Sequence, residues 1–278
     1  MPHLLTEDQV ASFERDGFLS PIQVISPEEA QRYRNCLEIF ETSTGELIGS
    51  DLRHNVHLLF TWADELLRCK KILDAVEDVL GPNLLCWTTN FFIKEPREPS
   101  FVSWHQDSTY WGLEPTDIVS AWVALSDTSM DSGAMRMLPG SHLWEQQPHY
   151  DTFHEHNLLS RGQELVSFPQ IQPTIGTPLQ PGEMSLHHGR LAHASDPNQT
   201  DDRRIGFVIR YIAPHVRQTK VKIDGAVLVR GVDDYGHFAA DPPPQTDLDD
   251  VARFNHRQAT DRLLGALMDG TDAEHFRA

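Results

Sequence analysis

A histidine and an aspartate stand two positions apart in the segment SWHQDSTYWG, residues 103–112, which is also rich in aromatic residues. In an extended segment, side chains at i and i+2 point to the same face, so His105 and Asp107 can bind one ion. A redox-active Fe(II) site typically takes two imidazoles and one carboxylate on one face and leaves its other positions open. The pair therefore predicts two of three metal ligands, although a polar loop with aromatic neighbours would also account for it.

The third ligand is expected in the downstream segment LHHGRLAHASDPNQTDDRRIGF, which contains three more histidines. His187 and His188 lie on a predicted strand, where adjacent side chains face opposite ways, and this favours a pocket or core pair over two ligands. His193 is followed by small residues and by a Pro-Asn pair, and an arginine comes eleven positions later. The sequence alone therefore leaves His187, His188 and His193 as candidates for the third ligand.

That arginine, Arg204, begins an apolar strand. A guanidinium there can bind the far carboxylate of a dicarboxylate through a planar two-point contact. Arg203 competes for this role, but its side chain should face the opposite side of the strand. Ser195 offers a hydroxyl for the same contact, or else serves as a turn hydroxyl.

The elements that must position these residues change in type along the chain. Helices are predicted at 6–18, 26–40 and 63–82, the first two with Thr6 and Ser26 as N-caps, and a last one near 249–268 after the proline-rich segment ADPPPQTD. Short runs rich in β-branched and aromatic residues, separated by Gly, Pro, Asp and Ser, predict strands. These runs are 84–94, 118–127, 134–142, 164–168, 182–188 and 204–213.

This order predicts a mainly β protein with flanking helices, a sandwich or barrel instead of alternating β and α units. The length of 278 residues is within the range of one all-β domain, and no repeat or composition break divides the chain. We therefore expect a single domain over 1–278. It would comprise a helical part at 1–81, a β core at about 82–215 and a C-terminal extension at 216–278.

Composition limits the possible partners. Forty-one acidic residues against 23 basic ones give a formal charge of −18, which argues against nucleic acid or an anionic membrane as partner. No apolar run is long enough to span a membrane, and the start MPHLLTEDQV resembles no signal peptide. Three scattered cysteines predict no disulfide framework. We expect a cytoplasmic protein that acts on a small molecule, and no pattern indicates an oligomeric state.

Taken together, several motifs resemble those of the phytanoyl-CoA dioxygenase family. The motifs are HQD at 105–107, AWVALSD at 121–127, GAMRMLPGSH at 133–142, PGEMSLHH at 181–188, and HASDPN at 193–198 followed by Arg204. The resemblance runs from about DGF at 16–18 to IRYI at 209–212. It implies a double-stranded β-helix (a jelly roll, or cupin-like fold) and an Fe(II)- and 2-oxoglutarate-dependent oxygenase.

For the metal site, the resemblance implies that His105, Asp107 and His193 are the iron ligands. It further implies that Arg204 binds the C5 carboxylate of 2-oxoglutarate, with help from Ser195. Halogenating relatives replace the carboxylate ligand with a small residue, whereas Asp107 is present here. Hydroxylation by O2, with release of succinate and CO2, is therefore favoured over halogenation.

For the pocket around this site, the resemblance places Asn90 and Trp122 against the co-substrate, and His57 by a looser alignment. Trp122 could instead belong to the core. Trp111, four residues after the aspartate, corresponds to an aromatic wall beside iron and substrate, or packs on a lid. The N-terminal helices and the tail would close the mouth of the barrel.

Two other functions remain open on the sequence alone. A jelly-roll metalloprotein could use a non-redox metal such as zinc for hydrolysis or isomerisation, but Arg204 would then have no role. A catalytically silent ligand-binding module is disfavoured because all three ligands and the arginine are present. The leading hypothesis is a hydroxylase of a small metabolite or natural-product intermediate.

Overall fold

The computed structural model describes residues 2–49, 52–167 and 173–271. Its α-helices are α1 (Glu7–Asp16), α2 (Pro27–Thr44), α3 (Thr61–Leu67), α4 (Lys70–Leu80) and α5 (Asp250–Leu267). Its strands are β1 (Phe18–Gln23), β2 (Leu84–Lys94), β3 (Val102–His105), β4 (Leu113–Glu114), β5 (Ile118–Ala124), β6 (Met135–Met137), β7 (His149–Asp151), β8 (Gln163–Leu165), β9 (Ile175–Thr177), β10 (Glu183–His188), β11 (His193–Ser195), β12 (Arg204–Ile212), β13 (Arg217–Gln218), β14 (Gly225–Arg230) and β15 (Ala239–Ala240).

Two antiparallel sheets face each other and form the centre of the molecule. The large sheet has the order β1-β10-β5-β12-β2-β14-β15, and the small one has the order β3-β11-β6-β9. Among the described strands, every pair is antiparallel except β14 with β15. Within the described residues neither sheet closes on itself, so the mainly β prediction is confirmed as an open, two-sheet arrangement.

Apolar side chains fill both faces of the large sheet. Between the sheets, Trp122 and Val208 pack with Met135 and Met137 of β6. The opposite face carries the larger core, in which strand residues such as Phe207 pack with the N-terminal helices. The helices thus cover one side of the sheet and leave its other side for the cavity between the sheets.

The first two helices begin where the sequence predicts. Thr6 and Ser26 both form capping boxes. In each, the side-chain oxygen of the cap accepts a hydrogen bond from the backbone N–H three residues later, at Gln9 or Glu29. The side chain of that later residue accepts a hydrogen bond from the backbone N–H of the cap. Each helix ends at a glycine in the left-handed conformation. The local signals therefore determine these helix ends.

The predicted helix at 63–82 is two helices, α3 and α4, separated at Arg68 and Cys69. The side chains of Leu66, Leu67, Ile72, Leu73 and Val76 are all buried. In one unbroken helix they would spread over roughly 220° of its circumference, at 100° per residue. A single face cannot bury so wide an arc, and the break lets both segments pack against the sheet.

Other strand predictions differ in extent. The run predicted at 134–142 pairs only over β6, because Pro139 has no N–H to donate and Gly140 adopts a positive φ of 76°. The run predicted at 164–168 pairs only up to Leu165, and Phe168 lies outside the described residues. The edge strand β1 was not predicted, and its Pro21 is compatible with an edge position.

The C-terminal extension takes part in the β structure. Its strand β14 pairs with β2 in the large sheet, and β13 pairs with β4. Helix α5 contributes Leu263 and Leu267 to an apolar cluster with Trp87 and Trp111. The extension therefore forms one wall of the molecule beside Trp111, the second tryptophan of the segment SWHQDSTYWG. No described helix is both long and apolar enough to cross a membrane.

Candidate metal centre

The two predicted histidine ligands are direct neighbours across a strand pair. His105 is the last residue of β3 and His193 the first of β11, and the antiparallel register places them opposite each other. Their ring centroids are 4.2 Å apart. Asp107 begins a short 3-10 turn directly after β3. One potential ligand atom from each of the three residues lies within 4.8 Å of the others, and all three side chains are buried.

Backbone carbonyls fix the tautomer of both imidazoles. The Nδ1 atom of His105 is 2.9 Å from the carbonyl oxygen of Ser103, and that of His193 is 2.9 Å from the carbonyl oxygen of Leu191. A carbonyl only accepts, so each Nδ1 carries the hydrogen and each Nε2 keeps a lone pair. This is the usual arrangement of histidines that bind a metal through Nε2.

The Nε2 atom of His105 lies 3.2 Å from Oδ1 of Asp107. A lone pair that faces a carboxylate oxygen is repulsive unless a proton or a cation lies between them. Burial and the neighbouring histidines His105 and His187 hold the pKa of His193 well below its ordinary value, so this imidazole is neutral. The donor set of two neutral imidazoles and one carboxylate fits a divalent transition metal.

Asp107 is ionised despite its burial. Burial alone would raise its pKa, but the contacts with the imidazoles of His105 and His187 and the charges around it hold that pKa well below the ordinary value. The hydroxyl of Ser120 donates to Oδ2 at 3.3 Å. The carboxylate is therefore held in the charged form that a metal ion requires.

The side chains of His187 and His188 point to opposite faces of the large sheet, as the alternation of a strand predicts. His187 is buried beside the three residues, with its Nε2 3.5 Å from Oδ2 of Asp107 and its ring 4.7 Å from that of His193. His188 faces the other side, where its ring lies 5.5 Å from that of His142. His187 adjoins the candidate metal centre without belonging to the ligand cluster.

A cavity of about 30 Å³ lies between the two sheets against these side chains, and we call it the first cavity. Arg204 projects into it from the start of β12 and is 1% exposed. Its Nη1 donates to the carbonyl oxygen of Gly133 at 3.2 Å, whereas Nε and Nη2 have no partner among the described residues. Burial lowers the pKa of this arginine to about 9. A buried guanidinium with two donors that lack a partner destabilises the fold unless an anion binds it.

Arg203 has the opposite environment. Its guanidinium forms ion pairs with Glu41 and Glu95, at 2.7 and 2.8 Å, on the helix side of the sheet. The prediction that the two adjacent arginines face opposite ways agrees with this geometry. Arg204 is the one that reaches the cavity.

Lys94, which the sequence analysis did not single out, is a second basic side chain near Arg204. Its side chain is 0% exposed, and Nζ donates to Oγ of Ser195 at 2.7 Å and to the carbonyl oxygen of Asp196. Burial and the charge of Arg204 lower its pKa to about 6. Ser195 therefore lies between the cavity and a lysine that is largely neutral at pH 7.

We expect Lys94→Met to change how stability depends on pH. Between the folded pKa of about 6 and the ordinary value of 10.5, the unfolded chain binds one more proton at Lys94 than the folded chain does. The free energy of unfolding of the ligand-free wild type should therefore rise with pH in this window, by up to about 1.4 kcal/mol per pH unit from this group. Urea unfolding at several pH values should show a smaller rise in the variant. An identical rise in both proteins would mean that Lys94 is charged in the folded state.

Trp122 lies against Arg204, with the guanidinium carbon 5.3 Å from the ring centroid. Its indole occupies the space next to Gly206 on the neighbouring strand β12. A Cβ atom at residue 206 would be 1.9 Å from Cζ2 of Trp122, so only glycine allows this packing.

Gly206→Ala should displace the Trp122 indole. We expect a loss of about 1–3 kcal/mol in the free energy of unfolding, the usual cost of overpacking a core. Thermal or urea denaturation measures this loss. Gly265→Ala on α5 is the matched control, because a Cβ there meets its nearest atom at 3.6 Å and alanine favours a helix. Equal stability of the two variants would contradict the packing account.

Asn90 and Trp111 border a second cavity, of about 40 Å³. The two cavities share Asp107, Arg210, Phe92 and Leu159 in their walls. Asn90 contacts both His54 and Arg210, and Trp111 lies beneath the Arg210 guanidinium at 4.9 Å. The predicted pocket residues therefore separate, with Trp122 and Ser195 in the first cavity and Asn90 and Trp111 in the second.

His57 is not brought to either cavity. It is buried on a short 3-10 turn, and its Nδ1 is 2.9 Å from Oγ1 of Thr89. Thr88 and Asn90 line the second cavity, so Thr89 faces the opposite side of β2. Burial lowers the pKa of His57 to about 3, as expected for a neutral core histidine.

Strand alternation could have identified two of the residues that the sequence analysis missed. On β12, residue 210 is on the same face as residue 204, and on β2, residue 94 is on the same face as residue 90. Arg210 and Lys94 follow from this rule. Arg53 and His54 lie between α2 and α3, and contacts with distant segments, such as the bridge between His54 and Asn90, bring them to the cavity.

Comparison with known proteins agrees with this geometry. A family model described as phytanoyl-CoA dioxygenase (PhyH) matches residues 13–206. The chain is 33% identical over 179 residues to a probable alpha-ketoglutarate-dependent hypophosphite dioxygenase of Stutzerimonas stutzeri, covering 63% of this chain and 61% of that protein. It is 25% identical over 243 residues to the peroxisomal phytanoyl-CoA dioxygenase of Homo sapiens, covering 79% and 72%.

The solved structure of the non-heme monooxygenase ThoJ, in its apo form, superposes with a TM-score of 0.82 at 34% identity. The match covers 94% of this chain and 97% of that one. The resemblance seen in the sequence and the mainly β jelly-roll fold are both confirmed, as are Fe(II) and 2-oxoglutarate as cofactor and co-substrate. The chain belongs to the phytanoyl-CoA dioxygenase family of Fe(II)- and 2-oxoglutarate-dependent oxygenases.

Proposed function

We propose that the protein hydroxylates a C–H bond of a small molecule. In this reaction the substrate, O2 and 2-oxoglutarate give the hydroxylated product, succinate and CO2, so that one oxygen atom enters each of the two organic products. Bound Fe(II) supplies the redox chemistry. Asp107 keeps a carboxylate in the ligand set, which favours hydroxylation over halogenation.

In this proposal His105, Asp107 and His193 hold the iron. The carbonyl groups of Ser103 and Leu191 orient the two imidazoles, so that each Nε2 is available to the metal. A ligand set of two imidazoles and one carboxylate would leave positions on the metal for 2-oxoglutarate and O2.

Arg204 carries the argument for the co-substrate. Its open Nε and Nη2 match a carboxylate, and they lie in the same cavity as the three ligand residues. Ser195 and Lys94 lie beside it and can add further hydrogen bonds. An apolar lining excludes water from this end of the cavity, and it is formed by Trp122, Val102, Met135 and Val208.

A non-redox metal site leaves the open Arg204 donors without a function, and a silent binding module is disfavoured because the three ligand residues and Arg204 are all present. No observation favours either over the oxygenase. Both predict that the protein does not consume 2-oxoglutarate.

The test is the formation of succinate from 2-oxoglutarate in the presence of Fe(II) and isotopically labelled O2. Candidate substrates with C–H bonds are free amino acids and fatty acyl thioesters, whereas hypophosphite, which the name of one relative indicates for that protein, tests oxidation of a P–H bond instead. We expect Fe(II)-dependent succinate and a product that contains one labelled oxygen atom. A product without labelled oxygen would contradict hydroxylation, and substrate conversion without 2-oxoglutarate would contradict the proposal as a whole.

A further inference from the structure

The second cavity contains positive charge that the proposed function does not use. Arg210 lines both cavities, on the strand face that also carries Arg204, six residues away. If 2-oxoglutarate chelates the metal at one end and binds Arg204 at the other, both of its carboxylates are engaged. Arg210 then remains available on the Asp107 side of the metal centre.

Arg210 is buried and has an open donor. It is 7% exposed, its Nη1 donates to Oδ1 of Asn90, and its Nε has no partner among the described residues. The ring of Trp111 lies below the guanidinium plane, 4.9 Å from its carbon. Asp107 accepts a hydrogen bond from the hydroxyl of Ser120, and no described contact is a hydrogen bond from Arg210 to it, although the two charges attract each other.

A second arginine lines the same cavity. Arg53 is 4% exposed; its Nε donates to Nε2 of His54 at 3.1 Å and its Nη1 to the carbonyl oxygen of Leu158 at 2.9 Å. His54 also contacts Asn90, so two uncharged side chains connect the two guanidinium groups. Among the described residues that line the cavity, Asp107 is the only carboxylate.

The cavity is also small and covered. Its volume is about 40 Å³, and Leu263 and Leu267 of α5 form part of its wall together with Trp87 and Trp111. An extended fatty acyl chain would have to displace α5, whereas a compact ligand would not. Two arginines in a covered cavity favour an anion with two or more oxygens, because the guanidinium fork binds such groups through paired hydrogen bonds.

Resting on the proposed function, we propose that the substrate is a compact oxyanion, a carboxylate or a phosphorus oxyanion, which Arg210 and Arg53 bind in the second cavity beside the metal centre. The anionic group would be held on the Asp107 side, and the bond to be oxidised would face the metal. The arginines would therefore select substrates by charge.

The test uses the visible absorption of the protein loaded anaerobically with Fe(II) and saturating 2-oxoglutarate. Three oxyanions, hypophosphite, methylphosphonate and acetate, are titrated to millimolar concentration, with acetamide as the neutral isostere of acetate. We expect at least one oxyanion to shift the band and acetamide to leave it unchanged. Comparing the shift caused by acetate with the shifts caused by the two phosphorus anions shows whether the site prefers a carboxylate or a phosphorus oxyanion.

Variants of the two arginines test whether these residues bind the oxyanion. Arg210→Gln should weaken binding of the active oxyanion by about 30-fold or more, which corresponds to ~2 kcal/mol. Arg210→Lys should restore part of it, and Arg53→Gln should also weaken it. Should Arg210→Gln fail to fold, Arg53→Gln and Arg210→Lys provide the same test. Arg217→Gln, at an exposed arginine, is the matched control and should bind as the wild type does.

The proposal is wrong if no oxyanion shifts the band, if acetamide binds as well as acetate, or if Arg210→Gln raises the 2-oxoglutarate requirement and leaves oxyanion binding unchanged. Failure of the proposed function would differ, because the wild type would then show no band with Fe(II) and 2-oxoglutarate before any oxyanion is added.

Discussion

Asp107→Ala is expected to lower the rate of succinate formation by more than about 100-fold. Loss of a group that only supports a metal ligand already costs 10- to 100-fold in metal affinity or activity, so loss of the ligand should cost more. The variant also removes the charge that balances the metal next to His105 and His193. Steady-state assays with 2-oxoglutarate, together with the iron content of the purified protein, measure the two effects.

The matched control is Asp234→Ala, at an exposed aspartate away from both cavities. It should retain the activity and iron content of the wild type. If Asp107→Ala retained full activity, the carboxylate would not be a ligand, and the assignment of the metal centre would be wrong.

Arg204→Met is expected to raise the KM for 2-oxoglutarate by about 30-fold or more. Removal of the charged partner of a buried carboxylate typically costs 2 kcal/mol or more, and each 1.4 kcal/mol is tenfold. Methionine keeps an apolar side chain in place of a guanidinium that has two open donors. The ligand-free variant should therefore be at least as stable as the wild type, since a buried charge without a partner destabilises the fold.

This combination of weaker co-substrate binding and undiminished stability is specific to a binding residue. Arg203→Gln provides the contrast on the same strand, because Arg203 pairs with Glu41 and Glu95 on the other face. It should lower the melting temperature and leave the KM for 2-oxoglutarate unchanged. A rise in the KM for the organic substrate alone in Arg204→Met would mean that Arg204 contacts the substrate.

The sequence predicts those features that follow from local spacing. The capping boxes at Thr6 and Ser26 depend on residues three positions apart, and the helices begin there. The opposite directions of Arg203 and Arg204 follow from the alternation of one strand. His193 was separated from His187 and His188 by its flanking residues, and it is the histidine that lies opposite His105.

The features that sequence analysis missed depend on contacts between distant segments. The break between α3 and α4 is determined by the need to bury two apolar arcs against the sheet. His57 was aligned to the pocket, but Thr89 holds it on the other face of β2. The second cavity combines Arg53, Asn90, Arg210 and Leu267, which come from four separate parts of the chain. No periodicity connects such residues before the fold brings them together.

The central claim is that three side chains hold one ferrous ion while Arg204 binds the far end of 2-oxoglutarate. The most direct measurement is the visible absorption spectrum after anaerobic addition of Fe(II) and 2-oxoglutarate to the metal-free protein. We predict a weak metal-to-ligand charge-transfer band in the wild type that is absent from Asp107→Ala and requires much more 2-oxoglutarate in Arg204→Met. A wild-type spectrum without the band, or an equally strong band at the same 2-oxoglutarate concentration in all three proteins, would contradict this account.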